Sequence, residues 1–379
     1  MDEYAASYNP TICVTHRCNL SCVYCYQHTH DARDMSEDIA QACVDDIMHS
    51  IPNYAKRVCI SFIGGEPLLR FPLIKNLYDY IYSHYQDDRV VLFATTNGTI
   101  LSPDMKKWFS DRKDKFVLGL SLDGAKETHD YNRSNSFDQI DIPFFVQTWP
   151  DQGPKMTISQ KSIETLADNI IFLHEQGFKY INGVNLAEGN FDWADKRLMH
   201  VLAQQLSKLV AFYVENPHLI LDQSMGRHIE YCASHQKEKK KVCGIGNNTF
   251  FYDIDGKKYP CSYTTPMTFS EEDLEEICNT NFNNIELFVD QECLSNCYLY
   301  PVCSNCYGAN YSTNHCFSKR CKSKCNLTKI ISLYVAELHA RRILKYRELY
   351  TDETRLYFLI RAIKEIKSQY FEEFREYLV

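Results

Sequence analysis

From residue 11 to about residue 215, short apolar runs alternate with stretches whose apolar residues recur every three or four positions. The runs at 11–15, 58–63, 90–95, 116–122, 155–159 and 179–184 predict strands, and the periodic stretches at 36–50, 71–85, 102–112, 162–176 and 193–215 predict helices. Strand followed by helix, about six times over, predicts an α/β fold with a parallel sheet and helical crossovers. Periodicity leaves open whether the sheet is flat or curls into a barrel. The polar, weakly patterned stretch 218–241 reads as a connection. Beyond it, 250–252, the pair Asp255-Gly256 and 258–259 predict a β-hairpin with Asp-Gly as its turn. A stretch rich in Cys, Asn, Ser and Tyr follows with little periodicity. From 327 the pattern is helical again, broken near Tyr350-Thr351-Asp352.

Composition narrows the function. No apolar run approaches the roughly 20 residues of a membrane span, and the first ten residues, MDEYAASYNP, lack the regions of a signal peptide. The expectation is a cytoplasmic chain with no membrane partner. A formal net charge of −8 argues against nucleic-acid binding, and the basic run Lys237 to Lys241 reads as a solvated linker. The 17 cysteines are an odd number, so they cannot all pair within the chain. In a reducing compartment, clustered cysteines more often hold metal than disulfides. None lies between Cys59 and Cys232, which leaves a dense group near each end.

The first group is Cys18-Asn-Leu-Ser-Cys22-Val-Tyr-Cys25, just after the first predicted strand. Three thiolates this close reach three corners of one 4Fe–4S cube and leave the fourth iron open to a small molecule. The competing reading is zinc, with His16 or His28 as the fourth ligand.

The C-x3-C-x2-C spacing with Tyr24 before the last cysteine resembles the signature of the radical S-adenosylmethionine (SAM) superfamily. Gly64-Gly65-Glu66-Pro67, Thr96-Asn97-Gly98 and Ser121-Leu122-Asp123-Gly124 follow the next three predicted strands and match that superfamily in type and order. All three sit at C-terminal strand ends, where parallel α/β folds place active sites. The resemblance implies a partial (β/α)6, TIM-like barrel whose mouth is capped by the cluster loop. It also implies SAM bound at the open iron, its reductive cleavage, and hydrogen abstraction from substrate by the resulting 5′-deoxyadenosyl radical. Position by position, Gly64 and Gly65 would let backbone approach SAM, Glu66 would accept from its amino group, and Tyr24 would lie near the adenine. Asn97, Ser121, Asp123 and Ser159 would touch its methionyl or ribose groups, and Arg133 would meet a carboxylate.

The second group resembles the SPASM domain, the auxiliary-cluster module of many peptide-modifying radical SAM enzymes. Cys243 and Cys261 flank Gly256, then come Cys293-x3-Cys297-x5-Cys303-x2-Cys306 and later Cys325; the outer gaps differ by one residue from the usual pattern. The resemblance implies one catalytic and two auxiliary 4Fe–4S clusters. Cys243, Cys261 and Cys306 would serve the first auxiliary cluster, with Cys232, Cys316 or Cys321 as the fourth ligand or an iron left open. Cys293, Cys297, Cys303 and Cys325 would serve the second. Cys13, Cys43 and Cys59 read as small buried hydrophobes. The expected domains are a barrel at 1–217, a linker at 218–242, the auxiliary module at 243–326 and terminal helices at 327–379.

Such enzymes act mostly on peptides or protein side chains, with an external donor such as flavodoxin or ferredoxin. The expectation is therefore a peptide maturase that forms a cross-link or oxidises a residue. Formylglycine formation, as in anaerobic sulfatase-maturating enzymes, is the alternative. Against it, Ser262 stands where that family carries a basic aspartate. A non-catalytic metal-bound scaffold is the alternative of another class. The connection 125–154, with Tyr131, Phe137, Phe144, Phe145 and Trp149, is the expected surface for gripping an extended peptide.

Overall fold

The structure is a computed structural model, and it describes residues 7–25, 27, 31–187, 193–235 and 237–378. Nine strands are present among these residues: β1 (Ser7–Tyr8), β2 (Thr11–Thr15), β3 (Arg57–Gly64), β4 (Val90–Thr96), β5 (Phe116–Leu120), β6 (Lys155–Ile158), β7 (Asn182–Leu186), β8 (Phe251–Tyr252) and β9 (Lys258–Tyr259). The expected α/β class with a parallel sheet is what the chain forms. The predicted strand at 179–184 begins three residues later, and helix Lys196–Glu215 begins three residues after the predicted start.

The chain divides into two compact units that interleave along the sequence, whereas the expected domains run consecutively. One unit comprises Met1–Leu122, His129–Pro154 and Gly244–Asn283; the other comprises Asp123–Thr128, Lys155–Cys243 and Asn284–Val379.

The first unit is built on a seven-stranded sheet of order β5-β4-β3-β2-β8-β9, with β1 also paired to β3. All pairings are parallel except the β8–β9 hairpin. Val58, Ile60 and Phe62 on β3 and Val90, Leu92 and Ala94 on β4 are fully buried and alternate with half-buried positions. Two-residue alternation puts one face of each strand in the core. Helix Glu37–His49 buries Ala40, Cys43, Val44 and Ile47, and Ser36 caps it by accepting from the Ile39 amide. Helix Phe71–His84 buries Leu73, Ile74, Leu77 and Ile81.

Two features depart from expectation. The predicted hairpin forms, with Gly256 at φ +80° in its turn, but it extends the N-terminal sheet. Phe251 and Tyr252 pair parallel with Thr11 and Ile12. Covering the β2 edge buries Phe251, Tyr252 and Tyr259, and Lys258 reaches Asp46 at 3.1 Å. The connection 125–154 is no loop. It carries helices Lys126–Asn132 and Ile142–Thr148 with the turn Phe137–Gln139 between them. Phe145 and Trp149 are buried. The Trp149 indole N–H donates to the carbonyls of Lys113 and Phe116, both at 3.2 Å. These rings belong to an aromatic core with Trp108, Phe109 and Phe116, so they are not free to grip a peptide. Tyr131 is exposed.

The second unit holds the parallel pair β6–β7 and the helices Leu166–Glu175, Lys196–Glu215, Lys322–Lys345 and Glu353–Tyr370. The predicted break is real: Asp352 caps the last of these by accepting from the Arg355 amide at 2.9 Å. The stretch 218–241 packs more than a linker does, with Asp222, Ser224, Met225 and Ile229 buried. Among the cysteine-rich residues the core is aromatic: Phe288, Tyr307, Tyr311 and Phe317 have neighbouring ring centroids 4.9–5.2 Å apart. No helix of the described residues is long and apolar enough to cross a membrane.

Trp149→Ala is expected to cost about 3–5 kcal/mol in chemical denaturation, as removal of a buried anchor. Stability within about 0.5 kcal/mol of the parent would return Trp149 to the role of a surface grip.

Candidate functional site

β2 ends at Thr15 and the chain enters the cysteine loop, where Cys18, Cys22 and Cys25 are half-buried free thiols. The next strand, β3, ends in the glycine pair directly against this loop. The Gly65 amide donates to the Thr15 carbonyl at 3.1 Å and the Glu66 amide to the Arg17 carbonyl at 2.8 Å. A Cβ on Gly64 would overlap the Thr15 carbonyl, and one on Gly65 would overlap Arg17 and the Cys18 Cβ. Glycine is therefore required by the close approach of the chain's own backbone, a reason separate from the approach of SAM expected from sequence.

Glu66 is buried and accepts three hydrogen bonds: Oε1 from the Leu68 amide at 3.1 Å and the Thr96 hydroxyl at 2.8 Å, Oε2 from the Asn97 amide at 2.8 Å. A carboxylate accepts about four, so one position is left for a ligand. Asn97 ties the end of β4 to the loop. Its Nδ2 donates to Asn19 at 2.9 Å, its Oδ1 accepts from Thr99, and Asn19 in turn donates to Thr99 at 2.8 Å. A third tether comes from 132–134, where the Val23 amide donates to the Asn132 carbonyl at 3.0 Å and the Ser21 amide to the Ser134 hydroxyl at 2.9 Å. The buried Arg133 guanidinium lies over the Tyr24 ring, 5.3 Å from its centroid. The first unit thus brings together Cys18, Cys22, Cys25, Tyr24, Gly64, Gly65, Glu66, Asn97, Arg133 and, at the end of β5, the buried Ser121. Asn19 and Ser134 were missed by sequence reasoning, and Thr96 was read only as part of the Thr96-Asn97-Gly98 motif, with no role of its own.

Asp123 and Ser159 fall in the second unit. Asp123 accepts from the Thr157 amide of β6 at 2.9 Å, and Ser159 exchanges hydrogen bonds with Ser162. Both have structural partners of their own.

Burial pushes the Cys18 and Cys25 thiols up; the charge of Glu66 adds to this at Cys18, and Arg133 offsets it at Cys25. Buried thiols ligate as thiolates only when a cation compensates them. Tetrahedral zinc holds thiolates roughly 3.8 Å apart, yet among the described residues only Cys13, His16 and Asp253 bring their ligand atoms all within 4.8 Å of one another. Cys18, Cys22 and Cys25 are not such a group. His28 lies outside the described residues. His16 is engaged elsewhere: Nδ1 meets Asp31 at 3.0 Å and Nε2 meets the buried Asp253 of the hairpin at 2.6 Å. Burial opposes its protonation, but the two carboxylates outweigh it and raise its pKa. Cys13 and Cys43 are buried, as expected of packing residues, and Cys59 is half-buried.

In the second unit, burial and then the charges of Asp290, Cys325, Cys297 and Cys303 push the Cys293 thiol up to about 12. The four cysteines expected to share the second auxiliary cluster therefore lie within electrostatic reach of one another. The buried Cys232 feels Cys297, which places it beside this set. Of the other set, Cys243 and Cys306 are exposed in the second unit and Cys261 is half-buried in the first. Cys316 contacts Ser318 at 3.4 Å and Cys321 contacts Ser323 at 3.1 Å.

The Radical SAM superfamily pattern matches residues 12–141, the span that holds the cysteine loop, the glycine pair and Glu66. The chain carries a radical SAM domain. An uncharacterized protein of Methanocaldococcus jannaschii is 33% identical over 175 residues, 45% of this chain and 59% of that protein; the match thus spans less than two thirds of that relative. A cysteine-type anaerobic sulfatase-maturating enzyme of Clostridium novyi is 24% identical over 321 residues, 76% of this chain and 83% of that enzyme. A solved structure, anSMEcpe with bound AdoMet and Cp18Cys peptide, has the same fold with a TM-score of 0.65 at 20% identity, covering 88% of this chain and 98% of the other. Within the radical SAM domain, the three tethers of the cysteine loop converge on the ends of β3 and β4 and on 132–134.

Burial holds the Glu66 carboxyl above its ordinary value of 4.5, up to about 7, against its hydrogen bonds and Arg133. The folded metal-free chain therefore keeps a proton there that the unfolded chain releases. Stability from this group is whole below pH 4.5 and is lost as pH rises through about 7. Between about pH 5 and about 7.5, metal-free wild type is expected to lose more stability than Glu66→Gln in urea titrations. Parallel pH profiles for the two would show that Glu66 does not titrate in this range.

Proposed function

We propose that this radical SAM enzyme modifies a side chain of a peptide or protein, and that Cys18, Cys22 and Cys25 hold its catalytic cluster. The observation that carries the reading is the loop itself: three half-buried thiols tethered to a buried carboxylate with one acceptor position left. Bound there, an iron–sulfur cluster and SAM supply radical chemistry capable of removing a hydrogen atom from an unactivated carbon. The chain's residues do the rest. Glu66 offers its remaining acceptor position to an ammonium group, Arg133 and Tyr24 form a stacked cation and ring beside the loop, and the backbone ties at Thr15, Arg17 and Asn132 fix the loop before anything binds. Cys293, Cys297, Cys303 and Cys325 are the proposed ligands of one auxiliary cluster, and Cys243, Cys261 and Cys306 of another. Iron–sulfur chemistry of this kind fits a reducing cytoplasm and an external one-electron donor such as flavodoxin or ferredoxin. The peptide class of substrate is supported by the fold shared with an enzyme solved with a bound peptide.

Formylglycine formation is the second reading, favoured by the similarity to sulfatase-maturating enzymes. Two local features weigh against it. Position 262 is serine, and the nearby carboxylates are engaged, Asp253 by His16 and Asp255 by the Lys257 amide at 2.9 Å.

Anaerobic reconstitution is expected to load about twelve irons per chain and, under reduction with SAM, to release 5′-deoxyadenosine. Both the product and about a third of the iron are expected to vanish in Cys18→Ala/Cys22→Ala/Cys25→Ala. Zinc in place of iron, or product surviving in the triple variant, overturns the reading. An aldehyde trapped on a cysteine-containing peptide by a hydrazide probe would favour the formylglycine alternative.

A further inference from the structure

We propose that Arg320 and Arg227 form a cationic clamp on Cys303 that raises the reduction potential of the cluster held by Cys293, Cys297, Cys303 and Cys325; this rests on the reading of those four cysteines as cluster ligands. The Arg320 Nη1 donates to the Cys303 Sγ at 2.7 Å. Arg227 interacts electrostatically with both Cys303 and Arg320, and its Nη1 is buried with no hydrogen-bond partner. Two neighbouring guanidiniums are a poor arrangement, since each is charged and each repels the other. Asp222 is the carboxylate that Arg227 feels. Its Oδ1 accepts from the Ser224 amide and hydroxyl, while its Oδ2 is buried with no hydrogen-bond partner, so it offsets part of the Arg227 charge and is not bonded to Arg320. The pair is better balanced once Cys303 is a thiolate on an anionic cluster, which adds counter-charge beside Arg320 and an acceptor for the orphaned N–H.

A second donor points the same way. The Tyr370 hydroxyl accepts from the Tyr298 amide at 3.2 Å and lies 3.7 Å from the Cys297 Sγ, which leaves its own proton for that sulfur. Reduction adds one negative charge to a cluster. Cations and N–H donors at the ligand sulfurs stabilise that more negative state, and cluster potentials follow net charge and hydrogen bonds to sulfur. Arginine suits the role because its charge cannot be lost by deprotonation.

The test uses the full chain carrying Cys18→Ala/Cys22→Ala/Cys25→Ala, so that only auxiliary clusters remain, with iron counted and an EPR-monitored redox titration recorded. The step absent after a further Cys293→Ala belongs to this cluster. Arg320→Met and Arg227→Met are expected to keep the iron of the parent. At the parent's midpoint, each is expected to lower the ratio of reduced to oxidised cluster about tenfold, which is about 59 mV for one electron. Arg320→Lys, with the charge kept and the planar fork lost, is expected to fall between. An unmoved midpoint in both methionine variants with iron intact overturns the clamp. Absence of any Cys293-dependent iron in the parent overturns the cluster reading instead, and the clamp with it. If Arg320→Met loses iron, Arg227→Met decides, because it leaves the Arg320–Cys303 bond in place.

Discussion

The cysteine loop depends on a carboxylate that the fold has taken out of water. Glu66 is buried at the end of β3, and its cost is offset by three donors from two places: Leu68 in its own turn, and the Thr96 hydroxyl and Asn97 backbone at the end of β4. Those bonds fix the β3 turn to β4. The same turn donates its amides to Thr15 and Arg17, so the start of the loop is set by where Glu66 sits. Glycine at 64 and 65 follows from this closeness, since any side chain there would meet the loop backbone. The radical SAM motif residues thus act first as each other's supports, and that rigidity is what a bound cofactor would need.

The two cysteine groups sit in contrasting fields. Beside Cys18 the charges are mixed, with Glu66 raising and, at Cys25, Arg133 lowering the thiol pKa. Around Cys303 they are cationic: Arg320 and Arg227 act directly, and Lys240 feels Cys303 and Cys232. Identical inorganic clusters in such surroundings would not share a potential. The chain places this difference in side chains that flank the proposed ligands, which are all cysteine.

Much of this was legible in the chain. Strands β2 to β6 stand out because each is a short apolar run bounded by turn residues, and the motif residues mark their C-terminal ends. What was not legible came from tertiary context. Residues 125–154 read as a loop because Pro143 and the Asn132-Arg133-Ser134-Asn135 stretch interrupt the helical pattern. The structure shows short helices there, with Ser134 and Asn135 at positive φ in the break between them. Phe145 and Trp149, two of the aromatics that resembled a grip, are core residues, a distinction that depends on partners such as Phe109 and Phe116, which lie far away in sequence. Arg320 was invisible for a related reason. An arginine before Cys321 carries no signal until the fold places it on Cys303.

The hairpin carries the strongest lesson about organisation. Read along the chain, 243–326 is one module, and its first strands would belong with the cysteines that follow. Edge pairing decides otherwise. β2 would expose its unpaired backbone on one side, and β8 fills that edge in parallel register. The turn that follows brings Asp253 to His16, two residues ahead of Cys18, in a buried contact reinforced by Asp31. Tyr252 and Lys258 add bonds to Asp46, and Gly256 rests against Ile39. A segment more than 230 residues away in sequence is therefore part of the frame from which the cysteine loop departs. A chain cut at residue 217 would keep every motif of the radical SAM domain. It would nevertheless lose an edge strand and the acid that holds His16, so the motifs alone do not account for the frame of the cysteine loop.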